Sequence, residues 1–387
     1  MKKNISVYGK VITAESVSVG HPDSAMDYIV NSLLDEVLKQ DKNARFACDG
    51  VSKNEHITLG GEVTTKAKID YEKIVTKAVK EIGYEFKPII TNQIFTQSPD
   101  IALGTNDEVG GAGDQGTITG YACNETKEYY PLVKSLADEI MRRLFSNYKS
   151  GEFKWAKADM KGQVTVDYTN NKPKVKTVVV ACSHSDDYIE EEFKQYIKEV
   201  CIDIFKEYKV DYKDAEYLIN GTGRFVIYGP IGDSGEVGRK IVVDAYGLHP
   251  LASVGGGTFN GKDPSKVDKT AAYFARYIAK NIVAAGLAEE CRIDLAYCIG
   301  KPDPMSVTYY FNGTENYPID QIENLVNSLV SYKPNDMKKT LDLLRPIHAT
   351  SGLISHFGQS IKTNPMTNET IEVPWEKLDL VSKFTIE

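Results

Sequence analysis

Gln163-Val-Thr-Val-Asp-Tyr168 and Lys174-Val-Lys-Thr-Val-Val-Val-Ala-Cys182 are two β-branched, apolar runs separated only by Thr-Asn-Asn-Lys-Pro. Their composition predicts strands. No helix fits between them, and parallel neighbours need a crossover of a dozen residues or more. The pair is therefore read as antiparallel, which argues against a doubly wound parallel sheet. A helix is expected before it, at about 131–147, and a long one after it, at 187–208. The same order, helix, strand, strand, helix, recurs on both sides. Met26, Ile29, Val30, Leu33, Leu34, Val37 and Leu38 form one face of a helix over 24–40, with Asp23 placed to cap it. Strands near 44–51 and 56–65 follow, then a helix carrying Tyr71, Ile74, Val75, Ala78, Val79 and Ile82. Late in the chain a helix at 267–285 precedes strands at 291–299 and 305–311 and a helix at 319–331. The expected fold class is α+β: three pseudo-symmetric domains, each a small mixed, mostly antiparallel sheet covered by helices. The boundaries are set at 1–108, 109–229 and 230–387, with chain segments interleaved in space.

The 387 residues exceed one ordinary core. The net charge of −8 disfavours nucleic acid as a partner. No apolar run approaches the ~20 residues of a membrane span, and the N-terminal lysines are followed by no apolar stretch, so neither a membrane segment nor a signal peptide is expected. The six cysteines form no Cys-x-x-Cys pair and fall mostly inside strand or helix patterns. They are expected to be reduced and buried, in a cytoplasmic protein.

Gly255-Gly-Gly-Thr-Phe-Asn-Gly-Lys-Asp-Pro-Ser-Lys-Val-Asp268 nearly spells a phosphate loop. Gly256, Gly261 and Lys262 fit Gly-x4-Gly-Lys, but Asp263 stands where Ser or Thr should hold magnesium. What remains is flexible backbone, the ammonium groups of Lys262 and Lys266, and the Asp268 carboxylate at a helix start. Those are parts for gripping a polyphosphate and its metal by another geometry. Gly111-Ala-Gly-Asp-Gln-Gly116 matches a dinucleotide motif as a string, yet its flanks suggest a loop entering a strand, not strand then helix. Gly20-His-Pro-Asp23 opens the first helix and reads either as plain capping or as a site for phosphate and magnesium. Asp159-Met-Lys161 reads as a solvated turn before a strand. Gly60-Gly-Glu62 interrupts a strand, as a bulge or as a place of close ligand approach. Arg224, Arg239 and Lys240 flank a glycine-dense stretch containing Asp233. Ser98–Gly116 and Thr363–Val373 are the least structured stretches, the first a surface connection or a lid.

Taken in order, these segments resemble the S-adenosylmethionine synthetase family over roughly residues 12–360. The carriers are Thr13–Asp23, Gly60–Thr65, Gly111–Gly116, Gly223–Ile227, Gly238–Asp244 and Gly255–Asp268. The resemblance implies methionine adenosyltransferase activity: methionine sulfur attacks the 5′ carbon of ATP, and the displaced triphosphate is cleaved to phosphate and diphosphate. It also implies a homodimer with shared active sites, or a homotetramer. By resemblance the catalytic set is His21, Lys161, Arg239, Lys262 and Lys266. The ATP set is His21, Asp159, Lys161, Arg224, Phe225, Asp233, Arg239, Lys240, Thr258 and Lys262. Glu62, Gln97, Asp233 and Lys266 match the methionine positions. Asp23 and Asp268 match ligands of Mg2+, two ions per site, and Asp49 the ligand of K+. The chain departs from the family where Ser24 replaces lysine, Asp49 replaces glutamate and Thr258 replaces alanine. The other readings are a family member with altered nucleotide or substrate preference or mainly tripolyphosphatase activity, and a non-catalytic regulatory homologue.

Overall fold

The computed structural model describes residues 11–97, 112–169 and 172–386. The lid-like stretch falls largely in 98–111, outside the described residues, as does Gly111.

The threefold pattern is present. Helix α1 (Pro22–Gln40) leads into β2 (Arg45–Lys53) and β3 (His56–Thr64), then α2 (Tyr71–Ile82) and β4 (Ile89–Phe95). Helix α3 (Leu132–Ser150) leads into β6 (Ala156–Asp167) and β7 (Lys174–His184), then α4 (Glu190–Glu207) and β8 (Glu216–Ile219). Helix α5 (Val267–Ala284) leads into β10 (Glu290–Tyr297) and β11 (Ser306–Tyr310), then α6 (Ile319–Leu329). Each central pair is antiparallel. In the first two units the following helix is a crossover, so β4 joins β3 and β8 joins β7 in parallel.

A strand from elsewhere in the chain closes the other edge of each sheet. β1 (Val11–Val17) pairs with β6, β5 (Gly116–Cys123) with β10, and β9 (Gly235–Glu236) with β2. These long-range pairs interlock the units. One buried core spans the first two, and a second packs α5 against β5 and β10.

Several local expectations change. β6 begins seven residues before the expected strand, so Asp159 and Lys161 lie within it, not in a turn. A register shift between the Ala156 and Met160 pairs turns consecutive Asp159 and Met160 both inward. β3 pairs with β2 without interruption, so Gly60–Gly61 is not a bulge. Gly61 has φ +143°, and a Cβ there would lie 2.1 Å from the Ala47 carbonyl oxygen. Residues 363–373 include most of an antiparallel hairpin, Ile361–Thr363 with Thr370–Glu372. β5 starts at Gly116 with Asp114 and Gln115 exposed, as a loop entering a strand. All six cysteines are free thiols and five are buried.

Candidate active site

Pro22 supplies the first-turn φ of α1, and His21 occupies the N-cap position expected for Asp23. His21 Nδ1 accepts the Asp23 N–H at 3.2 Å, so that nitrogen carries no proton. Burial, with Lys240 adding repulsion, lowers the imidazole to about 4. At neutral pH the ring is uncharged and its proton sits on Nε2, a donor without charge.

The Asp23 carboxylate turns inward and is only 2% exposed. Its Oδ1 accepts the Glu236 N–H at 2.9 Å and its Oδ2 accepts from Lys240 Nζ at 2.5 Å. Arg239 lies 3.7 Å from Oδ1. One turn along the same face, Asp27 accepts the Gly238 N–H at 2.9 Å. A further turn on, Asn31 accepts the Gly261 N–H at 3.2 Å. Helix α1 thus holds 236–240 by two carboxylates, which brings Arg239 and Lys240 to its N-terminus. Lys161 and Asp233 also act on the ionisation of His21, and belong to this group. Lys161 pairs with Glu15 at 2.6 Å on the exposed side of the sheet. Asp233 is exposed and accepts the Ser234 N–H. Lys53 donates to the neighbouring carbonyls of Ile231 and Gly232. Asp159 is buried, accepts the Gly229 N–H at 2.9 Å, and is raised to about 7 by burial, with Asp233 and Asp23 adding to the rise.

A second group forms at the near-phosphate loop. Lys262 bridges to Ala47 on the open edge of β2, beside a Cys48 N–H bond to the Gly261 carbonyl at 2.8 Å. Lys262 Nζ lies 2.6 Å from Asp268 Oδ2, in the first turn of α5. A Cβ on Gly257 would lie 2.2 Å from the Asp268 Cγ, so the glycine leaves the space the carboxylate occupies. Lys266 is the N-cap residue of α5, half-buried, with no side-chain cap bond. Thr258 lies against Gly238, and its Oγ1 accepts the Asn260 N–H at 3.1 Å. The two groups are anchored at Asp23 and Asn31, about 12 Å apart along α1.

Arg224 and Phe225 sit on a loop clamped to the end of β7. The Phe225 N–H donates to His184 Nε2 at 3.0 Å, and its carbonyl accepts the His184 N–H at 3.0 Å. Arg224 pairs with Asp186 at 3.0 Å and both are exposed. Asp49 and Glu62 share the sheet face turned away from α1. Asp49 lies opposite Gly60, and Glu62 lies between Ala47 and Phe95. Val51, Ile89 and Phe95 are exposed on this face. The Gln97 N–H donates to Thr64 Oγ1 at 3.2 Å.

Among the described residues no group of three or more His, Cys, Asp or Glu could hold a metal. An all-protein cage is thus not present there. Solitary carboxylates such as Asp23 and Asp268 fit the way magnesium is bound through one or two carboxylates, with phosphate oxygens and water completing the shell.

Sequence reading missed Asp27, Asn31, Asn260, His184 and Tyr84. Asp27 and Asn31 had a signal, since they follow Asp23 at helical spacing. The others had none: His184 meets Phe225 only through the fold, and Tyr84 reaches the Gly20 carbonyl, at 2.9 Å, from a distant segment.

Three family models match the chain in order. The S-adenosylmethionine synthetase N-terminal domain matches residues 9–99, the central domain 109–225 and the C-terminal domain 227–377. The S-adenosylmethionine synthase of Mesoplasma florum is 44% identical over 384 residues, 96% of this chain and 98% of that protein. Those of Mycoplasma capricolum (43%, covering 98% and 97%) and Akkermansia muciniphila (41%, covering 95% of each) are similar along their full lengths. No described helix is long and apolar enough to cross a membrane.

Proposed function

Since the chain belongs to the S-adenosylmethionine synthetase family, we propose that it is a methionine adenosyltransferase, forming S-adenosylmethionine from ATP and L-methionine. The observation that carries this is the convergence of Arg239, Lys240 and the neutral His21 on the N-terminus of α1, with Lys161 acting on the same imidazole. Thioether sulfur is a competent nucleophile and needs no general base. The sulfur lone pair forms the bond to C5′ as the C5′–O bond breaks, and the electron pair leaves with the triphosphate. Stabilising that oxyanion is the catalytic task, and it calls for cations and donors placed in advance. Lys161, Arg239, Lys240, Lys262 and Lys266 supply the charge. His21 Nε2–H supplies a donor toward the departing oxygen.

Asp159, Arg224, Phe225, Asp233 and Thr258 are assigned to ATP. Phe225, half-buried on its clamped loop, offers a face for adenine. Glu62, Gln97, Asp233 and Lys266 are assigned to methionine, with the acids toward its ammonium group. Mg2+ would be held by Asp23 and Asp268, and would neutralise charge on the phosphates. Asp49 is the position assigned to K+. The family resemblance extends to a homodimer with shared active sites, in which the Asp23 group of one copy would meet the Asp268 group of the other. The exposed Val51, Ile89 and Phe95 give such a partner an apolar sheet face to cover. Units 1–108, 109–229 and 230–387 and a cytoplasmic location complete the proposal. The regulatory and tripolyphosphatase readings gain no support from a chain that keeps Lys161, Arg239, Lys240, Lys262 and Lys266, with Ser24 the one position where a family lysine is replaced. The test is a chromatographic assay of S-adenosylmethionine from ATP and methionine with magnesium, with and without potassium. Methionine-dependent product is expected, and tripolyphosphate hydrolysis without product would overturn the reading.

A further inference from the structure

Behind the Arg239–Lys240 segment, α1 and residues 349–354 enclose a cavity of about 10 Å³, room for the centre of one water-sized particle. Ser24, Asp27, Asn31, Asp244 and Gly352 are among its lining residues. Asp27 is 6% exposed and Asp244 4%. Asp27 uses Oδ1 to accept the Gly238 N–H, while its Oδ2 is buried with no hydrogen-bond partner among the described residues. Asp244 Oδ2 accepts from the Asn260 amide at 3.1 Å.

The surrounding ammonium groups make their hydrogen bonds elsewhere, but against the rise that burial causes, Lys134, Lys362 and Lys240 all act on Asp244 and lower it. Lys240 is bonded to Asp23, Lys134 to Asp138, and Lys362 to the carbonyls of Ser351, Leu353 and Ser355. Burial raises both aspartates; Asp244 and Asp23 raise Asp27 further while the Gly238 N–H and the Asn260 amide lower it, and the Asn260 amide also lowers Asp244. Two buried carboxyl groups, one with an oxygen that has no hydrogen-bond partner among the described residues, beside hydroxyl and amide groups make an oxygen-rich pocket. Hard cations prefer such ligands.

We propose that this cavity binds one monovalent metal cation, held by the carboxylates of Asp27 and Asp244 with the Ser24 hydroxyl as a neutral ligand. The site is separate from Asp49, which lies on the exposed sheet face. The cation fixes Asp27, and Asp27 in turn fixes Gly238 ahead of Arg239 and Lys240. That consequence for turnover rests on the function proposed above, whereas the binding does not.

The experiment follows thermal unfolding of the full-length protein while potassium or sodium chloride replaces tetramethylammonium chloride at constant ionic strength. A saturable rise in Tm of about 2–4 °C is expected. Asp49→Asn should keep the rise and Asp27→Asn should lose it. Ser24→Lys places an ammonium in the cavity and should make Tm independent of the cation. Crystals soaked in thallium(I), a potassium stand-in, should give an anomalous peak between Asp27 and Asp244. A Tm that ignores the cation in the wild-type protein overturns the proposal, because a proton or water then serves the cavity. So does a rise that survives in Asp27→Asn, or a thallium peak at Asp49 alone. If Asp27→Asn does not fold, the Ser24→Lys response and the thallium map decide.

Discussion

Lys240 Nζ and Asp23 Oδ2 lie 2.5 Å apart, joining a segment of the third family unit to the first turn of α1. The carboxylate is almost wholly buried and the lysine side chain is 18% exposed. This pair holds a cation ready at the helix N-terminus and keeps a buried carboxylate compensated.

Lys240→Met should therefore cost about 3 kcal/mol of stability, because it strands a buried charge. Turnover should fall about 10²-fold or more. Lys240→Arg should recover most of the stability and less of the turnover, since the broader fork cannot take the same place. Urea midpoints and steady-state rates on the same preparations separate the two effects.

His21 gives a pH signature. Its imidazole is lowered from 6.5 to about 4 by burial, so between these values the unfolded chain binds more protons. Stability then rises with pH through that window, is full above about 6.5, and is lost progressively as pH falls toward 4. The contribution is about 3 kcal/mol. Comparing urea midpoints at pH 5 and pH 8, wild type should show the gap and His21→Asn should show a smaller one. An equal gap in both would place the titration elsewhere.

Gly257 and Gly256 make a matched pair. Gly257→Ala drives a methyl group into the Asp268 carboxylate, whereas Gly256 has nothing within 4 Å of the same position. Gly257→Ala should lower turnover at least tenfold and raise the magnesium requirement, with Gly256→Ala close to wild type. Magnesium titrations of activity distinguish them.

The shared-site proposal predicts complementation. Asp23→Asn and Asp268→Asn chains, each inactive alone, should regain about one quarter of wild-type activity when coexpressed at equal levels. Half the dimers are mixed, and each mixed dimer has one intact site. Activity that stays at background would mean that both aspartates serve a site within one chain.

Glu376 tests the second core. Its carboxylate bonds Arg276 at 2.9 Å and Lys280 at 2.8 Å, all fully buried or nearly so. Burial alone would raise this acid, but Arg276 and then Lys280 reverse the effect and hold it at about 2. Because the folded value is depressed, its stabilisation is present above about 4.5 and is lost as pH falls toward 2. Glu376→Gln should cost about 3–5 kcal/mol in chemical denaturation at neutral pH.

The sequence by itself determined the three helix–strand–strand–helix units and their order. Apolar spacing and the short link between residues 168 and 174 are local properties, and they fix helix faces and antiparallel pairs without reference to distant chain. It also held the residue types needed for a polyphosphate, in family order. Only the tertiary structure decided which residues meet. The cap at α1 fell to His21 because Asp23 found Lys240 and the Glu236 N–H, partners that no spacing reveals. Asp159 moved from turn to buried strand because a register shift with β7 turned it inward. The grip of Asp27 on Gly238 and its free oxygen at the Ser24 cavity arise where segments over two hundred residues apart in the sequence pack together. Periodicity encodes which face of an element is buried. It does not encode which partner that face meets, and charge compensation depends on the partner.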